Sequence, residues 1–255
     1  MTPFDAIILG IVEGATEFLP ISSTGHLILA NALLGGSPTD FAKTFEIVIQ
    51  VGAILAVVAL YARSFLDIEK LKRIIVAFIP TGIIGLAMYG IVKTYLLGST
   101  PIVLAALGVG GVVLIIFDYF HAKHPEEELV EKPMSYRDAA LIGVFQAFAI
   151  IPGVSRSAAT IVGGLALGYS RAAIVEFSFL LGVPTLLAAS GLDLVKNGLS
   201  ITNGEWLLIA IGFVFSFLVA MVSVKWLIAY IRTHSFTAFG AYRIAIAILF
   251  ALILL

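Results

Sequence analysis

Glu13-Gly14-Ala15-Thr16-Glu17-Phe18-Leu19-Pro20-Ile21-Ser22-Ser23-Thr24-Gly25-His26 is the stretch that decides how this chain folds. It sets two carboxylates, three consecutive hydroxyls and an imidazole inside sequence that is apolar on both sides. Of 255 residues, 60% are hydrophobic and 12% charged, and mean hydropathy is +1.10. A soluble domain is nearer half apolar and a quarter charged, so the chain is an integral membrane protein. Ionisable groups at membrane depth are costly and are usually kept for function. The apolar segments around the stretch, 4–19 and 24–35, are each shorter than the roughly 20 residues a span needs. One ends in Leu19-Pro20 and the other in Gly35-Gly36. They predict two short helices joined by a turn, a re-entrant hairpin. Broken backbone at that depth must be buried in protein or line a wet cavity.

Outward from this hairpin, apolar runs predict spans at 43–62, 74–97 and 100–120. The loop 63–73 carries Arg63, Lys70, Lys72 and Arg73, and a polar linker covers 121–137. Two further short apolar pieces, 138–152 and 155–168, are interrupted at Pro152-Gly153-Val154-Ser155-Arg156 and predict a second hairpin. Spans follow at 172–192, 206–228 and 236–255. Pro20 to Phe45 and Pro152 to Phe177 are both 25 residues, and a shift of 132 carries Ser23 onto Ser155 and Gly36 onto Gly168. Gly10-Ile-Val-Glu13 resembles Gly143-Val-Phe-Gln146 with one residue slipped.

Three spans per half is odd, so the second half is expected upside down relative to the first. Placing loop 63–73 in the cytoplasm puts nine basic residues inside and leaves Lys43, Lys93 and Lys196 outside, as the positive-inside rule requires. The expected fold is an all-α polytopic membrane protein with six transmembrane helices plus two re-entrant helical hairpins in an inverted-topology repeat. It forms one transmembrane domain over 1–255, with repeat 1 at 1–120, the linker at 121–137 and repeat 2 at 138–255. Both termini are expected outside. Inverted repeats with broken helices place a site where the two interruptions meet.

Several classes drop out. Net charge is −1, which gives no sign of a nucleic-acid partner. There is no cysteine, so disulfides and thiolate chemistry are excluded. Met1-Thr2-Pro3-Phe4-Asp5 lacks the basic flank of a signal peptide, so the first apolar segment is expected to remain.

The polar residues specify chemistry. Glu13 and Glu17 are four apart and share a helix face. Like charges this close either share a proton or hold a cation, and Mg²⁺ or Ca²⁺ suits carboxylate oxygens. Ser22, Ser23 and Thr24 are good N-cap residues, and three in a row beside Gly25 also suit a phosphate at a helix start. His26 is a candidate general base or nucleophile. Arg156 is the basic residue of the second interruption, among Gly153, Ser155, Ser157 and Thr160; a guanidinium binds phosphate through two donors and stays charged. It could equally pair with a glutamate of the first. Glu46, Gln50, Glu176, Ser178 and Arg243 are further polar groups within the predicted spans, read as interhelical hydrogen-bonding residues or proton or ion sites. Asp118, Lys225 and Arg232 are placed near helix ends.

The first stretch and Pro152-Gly-Val-Ser-Arg-Ser-Ala-Ala-Thr160 resemble the two signature motifs of the undecaprenyl-pyrophosphate phosphatase family, also called the bacitracin-resistance family. Ala42-Lys-Thr-Phe-Glu46 and Glu176-Phe-Ser-Phe-Leu resemble its pattern too. The resemblance implies a bacterial inner-membrane enzyme that removes the terminal phosphate of undecaprenyl pyrophosphate, recycling the lipid carrier for peptidoglycan synthesis and conferring bacitracin resistance. It implies catalytic roles for Glu13, Glu17, Ser23, His26 and Arg156. It implies substrate binding by Ser22, Thr24, Gly25, Gly153, Ser155, Ser157 and Thr160, and a divalent cation on Glu13 and Glu17. It also implies a homodimer with its site open to the outer, periplasmic face.

Three functions are distinguishable. Hydrolysis of a prenyl pyrophosphate uses the carboxylates, imidazole and arginine together. A transporter or flippase for the lipid would draw on the repeat, and a lipid-phosphate scaffold needs neither paired carboxylates nor imidazole. His26 attacks phosphorus, or else it activates Ser23 or water; residue types alone leave these open. The prenyl tail is expected in an apolar groove between spans, and the surrounding lipids are the other partners.

Overall fold

The computed structural model describes residues 1–37, 39–96, 99–121, 133–197 and 201–254. Among them the secondary structure is helical, without strands. The α-helices are α1 (Pro3–Thr16), α2 (Ser23–Leu33), α3 (Asp40–Leu60), α4 (Ile68–Ile91), α5 (Thr100–His121), α6 (Tyr136–Ala147), α7 (Arg156–Ala166), α8 (Arg171–Asn197), α9 (Asn203–Ile231) and α10 (Thr237–Leu254).

Helices α3, α4, α5, α8 and α9 are long and apolar enough to cross a membrane, and α10 is apolar but shorter. The chain is a multi-pass membrane protein. Helices α1, α2, α6 and α7 have 14, 11, 12 and 11 residues. At about 1.5 Å per residue they are shorter than the roughly 30 Å hydrocarbon core. Outward rows such as Ile75, Ile79 and Ile83 on α4, and Leu207, Val214, Leu218 and Val222 on α9, are exposed, as lipid-facing positions should be.

The structure changes the expected boundaries where local hydrogen bonding favours helix. Loop 63–73 is a 3-10 turn, Ala62–Leu66, followed by α4. Asp67 Oδ1 accepts from the Glu69 and Lys70 N–H groups at 2.9 and 3.1 Å, opening α4 early. Lys72 and Arg73 then pair with Glu69 within the first turns, so they are helical residues and not loop ones. A capping box between Thr202 and Glu205 starts α9 at Asn203 rather than 206. Helix α6 stops at Ala147 and passes through a 3-10 turn at Phe148–Ile150 before Pro152. Most of the linker (122–132, with Lys123, His124, the three glutamates and Lys132) lies outside the described residues, as do the side chains of Lys93, His121 and Lys196.

Through the two hairpins matched backbone features recur 133 residues apart, as the slipped Gly10 and Gly143 suggest before the prolines and one more than the 132 expected after them. Thr2 caps α1 through the Asp5 N–H and Ser135 caps α6 through the Asp138 N–H. Ser22 and Ser155 have φ of 73° and 74° and cap α2 and α7. Gly35 and Gly168 follow those helices at φ 73° and 82°. Ser22, not Ser23, is therefore the counterpart of Ser155, and Ser23 that of Arg156. The two prolines that set the expected spacing sit one place apart within their turns.

Small residues bring the helices close. A Cβ on Gly10 would lie 2.5 Å from the Gly212 carbonyl oxygen of α9, and one on Gly143 would collide with the Ala77 carbonyl of α4. Without a hydrophobic drive between helices in lipid, such backbone approach carries much of the packing. Gly143→Ala is expected to cost about 1–3 kcal/mol through overpacking, read as a lowered Tm of the purified protein in detergent.

Polar contacts gather the starts of α4, α6, α8 and α10 and the end of α5 at one end of the bundle. Lys70 pairs with Glu176 at 3.0 Å and Arg171 with buried Asp118 at 3.1 Å. Asp118 also accepts from Thr237 Oγ1 at 2.9 Å. Tyr169 donates to Asp138 at 2.7 Å; burial first, then the carboxylate, pushes its phenol up to about 12.

Candidate active site

The connections α1–α2 and α6–α7 form two tips that meet inside the bundle. In the first, α1 ends at Thr16, and the chain turns through Glu17 to Ile21 before Ser22 opens α2. A serine at positive φ is unusual, and it is held there because its Oγ accepts from the Gly25 N–H at 3.3 Å. The second tip repeats the device, with Ser155 Oγ accepting from the Ala158 N–H at 3.2 Å.

Glu17 joins the tips. Its Oε2 accepts from Ser23 Oγ at 2.5 Å. Its Oε1 accepts from Arg156 Nη2 at 2.9 Å and Nε at 3.3 Å. Both side chains of this ion pair are over nine-tenths buried. Arg156 Nη1 donates to the Ser178 carbonyl at 2.7 Å, and the guanidinium sits 5.8 Å from the Phe18 ring centroid. Gly182 of α8 leaves room for it, since a Cβ there would lie 2.7 Å from Nη1. Ser157 Oγ donates to the Leu19 carbonyl at 2.8 Å, a second tie between the tips.

A cavity of about 590 Å³ opens over this junction. Glu17, Ser22, Ser23, Thr24, Gly153, Ser155 and Arg156 line it. Its remaining polar wall includes Gln146 and Gln50, both conspicuous in the sequence, and two threonines that sequence reading missed. Gln146 Nε2 donates to Thr81 Oγ1 at 2.9 Å and Thr185 Oγ1 at 3.0 Å, and all three line the cavity with Gln50. A signal for the threonines exists: each follows a proline inside a helix, Pro80 in α4 and Pro184 in α8. The other walls are mostly apolar, including Phe78, Leu86, Ile150, Leu186 and Leu192, with the carboxylate of Asp193 next to Leu192.

Five expected site residues do not line the cavity. Gly25 packs against Leu107, where a Cβ would sit at 3.3 Å. Ser157 ties the tips. Thr160 Oγ1 lies 2.6 Å from Ser178 Oγ and bonds back to its own helix. His26 faces α10. Its Nδ1 is 2.7 Å from the Ser22 carbonyl and its Nε2 2.9 Å from Tyr242 OH. A carbonyl only accepts, so Nδ1 carries the proton and, in the neutral ring, Nε2 accepts from the tyrosine. The two rings stack at 5.5 Å.

Glu13 is wholly buried, and neither carboxylate oxygen has a hydrogen-bond partner. Gln146, its counterpart at 133, reaches the threonines instead. Ser216 Oγ, beside Gly14, is also buried without a partner. Two orphaned oxygens on a carboxylate one helical turn from Glu17 are compatible with a hard cation, because Mg²⁺ commonly takes one or two carboxylates and completes its shell with substrate phosphate and water. No group of three or more acidic or histidine side chains that could hold a metal occurs among the described residues.

The family model for bacitracin resistance protein BacA matches residues 6–249. The chain belongs to this family. It is 50% identical over 253 residues to the undecaprenyl-diphosphatase of Aquifex aeolicus strain VF5, with 98% of each chain covered. The undecaprenyl-diphosphatases of Persephonella marina and Thermus thermophilus are 48% and 44% identical, covering 98% of this chain and 98% and 97% of theirs. In this BacA-family chain both motifs fall inside the matched region, and so do Gln146, Thr81 and Thr185.

Proposed function

We propose that this chain is an undecaprenyl-diphosphatase whose reaction takes place where the two tips meet. It hydrolyses undecaprenyl pyrophosphate to the monophosphate and inorganic phosphate. Membership of the BacA family and near full-length identity to diphosphatases of that name carry the activity. The observation that carries the site is the Ser23–Glu17–Arg156 chain of hydrogen bonds on the cavity wall.

The chemistry follows from those contacts. Arg156 and the N–H groups opening α2 and α7 receive the terminal phosphate, stabilising the charge that builds on its oxygens. Ser23 already directs its proton at Glu17. As Oγ attacks the terminal phosphorus, that proton passes to Glu17, the anhydride P–O bond breaks and prenyl monophosphate leaves. Glu17 gives its proton up to the departing phosphate. As a carboxylate again, it takes a proton from the water that attacks the phosphoserine, then returns it to Ser23 Oγ. A divalent cation, Mg²⁺ or Ca²⁺, held by Glu13 and Glu17 would supply positive charge to the pyrophosphate when bound.

His26 acts here from behind the tip. Its bonds to Ser22 and Tyr242 favour orientation of the first tip over proton transfer. Tyr242→Phe, which keeps the ring stack, is expected to lower kcat less than about tenfold. His26→Ala loses stack and bond together and is expected to lower kcat further, by roughly 10²-fold, the cost of a small misplacement. In both variants the limbs of the kcat–pH profile stay in place. Loss of a limb in His26→Ala would instead make the imidazole the base.

The fold reading consistent with this is six spans and two re-entrant hairpins in inverted halves. The 133-residue correspondences and the short α1, α2, α6 and α7 support it. Lys70, Lys72, Arg73 and Arg171 cluster at one end, which supports placing that end in the cytoplasm. The cavity runs the other way, towards Leu86 and Leu192, so the site opens outward and the prenyl chain lies along its apolar walls.

A further inference from the structure

Arg243 of α10 is fully buried. Its five N–H groups all go to backbone carbonyls. Nε donates to Leu107 at 3.2 Å. Nη1 donates to Pro20 at 3.1 Å and Val154 at 3.0 Å. Nη2 donates to Ala106 at 3.1 Å and Gly153 at 2.9 Å. Among the described residues no carboxylate forms a salt bridge with it. One guanidinium thus bonds the first tip, the second tip and α5 at once. Pro20 and Gly153 are themselves counterparts 133 residues apart. A Cβ on Gly110 of α5 would fall on the guanidinium, 2.9 Å from Cζ. The missing side chain at Gly110 leaves the space that the arginine fills where α5 and α10 meet.

This arrangement needs an explanation. A buried cation without a counter-ion is costly, and at membrane depth the tip carbonyls have no water to bond. Glu17 and Arg156 lie on opposite tips, so the geometry of their junction depends on how the tips are held together. We propose that Arg243 is a positioning residue for the phosphatase reaction, strapping the two tips from behind so that Ser23, Glu17 and Arg156 keep their registry when substrate separates the ion pair. Empty, the tips are joined by Arg156–Glu17 and Ser157–Leu19. With phosphate on Arg156 the first of these ties weakens, and the Arg243 strap, which the cavity does not reach, holds the spacing.

The inference rests on the phosphatase reading, and kinetics of purified variants separate the two. Inorganic phosphate release from a prenyl pyrophosphate is measured per folded molecule, counted from the monodisperse peak in detergent. Arg243→Lys keeps a cation but not the planar fork. It is expected to lower kcat about 10²-fold, as a misplacement of about 1 Å does, with KM within threefold of wild type. Gly110→Ala is the gentler variant: it leaves the arginine in place and pushes Nη2 off Gly153 and Ala106. It is expected to lower kcat about tenfold, again with KM little changed. Gly240→Ala is the control, crowding the same α5–α10 contact at the Gly111 carbonyl, 2.7 Å from the new Cβ, and at Ile115 rather than at Arg243. It is expected to lower Tm and keep kcat per folded molecule within threefold. The strap is overturned if Arg243→Lys or, should that variant not fold, Gly110→Ala turns over within threefold of wild type. It is overturned too if Gly240→Ala loses kcat as they do. If wild type itself releases no phosphate, it is the phosphatase reading that fails.

Discussion

Arg156→Met is expected to lower kcat/KM for prenyl pyrophosphate by about 10³- to 10⁵-fold, the range seen when a transition-state arginine is removed from phosphoryl-transfer enzymes. Arg156 is the cation that both lines the cavity and touches the carboxylate beside Ser23. Its loss also strands Glu17 in a buried site, and breaking a buried pair by removing one partner costs about 3–5 kcal/mol. Ser23 still donates to Glu17, which places this case at the lower end. Stability and rate therefore come apart in a second variant. Arg156→Met with Glu17→Gln removes both charges, so its Tm is expected to recover towards wild type while phosphate release stays at background. Recovery of the rate along with Tm would show that neither Arg156 nor Glu17 takes part in the chemistry. Arg156→Lys restores charge without the fork that reaches Glu17 and Ser178 together, and its rate is expected to remain nearer Met than Arg.

The second large effect concerns Ser23 and Glu17. Ser23→Ala removes the attacking oxygen, and Glu17→Gln removes the acceptor of its proton. Each is expected to reduce phosphate release by at least about 10³-fold. Groups that act as one unit are strongly non-additive, so the double variant is expected to be no slower than the slower single. Steady-state rates of the three proteins, measured side by side, check this. Multiplying losses would mean that the 2.5 Å contact between Ser23 and Glu17 is not part of one chemical unit.

Much of this site is legible in the sequence, for a physical reason. Polar residues inside an apolar chain are conspicuous, and a proline followed by hydroxyls marks where helices must break. That is enough to find both tips, and it is enough to expect Arg156 against a glutamate of the first. The halves also match, although the prolines gave 132 where the backbone matches at 133, because a turn can place its proline one residue earlier without changing its caps.

What periodicity cannot give is the azimuth of one helix against a distant neighbour. Glu13 and Glu17 do share a helix face, the Glu17 N–H still bonding the Glu13 carbonyl at 2.9 Å, yet Glu17 at the helix end reaches the cavity and Glu13 is buried one turn before it. His26 looks like a base beside its hydroxyls and instead faces Tyr242, 216 residues away. Gln146 is marked by its likeness to Glu13, but Thr81 and Thr185, which converge on it from two other helices, have no local pattern beyond the helix prolines before them. Arg243 stood out only as a charge within a span. Its bonding to both tips depends on α10 crossing α5 at Gly110 and Gly111, a tertiary contact that the sequence does not display. The run of charges at 63–73 misleads in the opposite direction. Charges suggest a loop, but Glu69 with Lys72 and Arg73 are i+3 and i+4 pairs that belong on a helix.

Release of inorganic phosphate from undecaprenyl pyrophosphate by the purified protein, measured beside Ser23→Ala, decides whether the junction of the two tips hydrolyses the lipid through Ser23. Wild type is expected to release one phosphate per lipid consumed, and folded Ser23→Ala to remain at background. No release by wild type would mean that the chain is not this phosphatase, and turnover by Ser23→Ala at the wild-type rate would mean that Ser23 is not the attacking group.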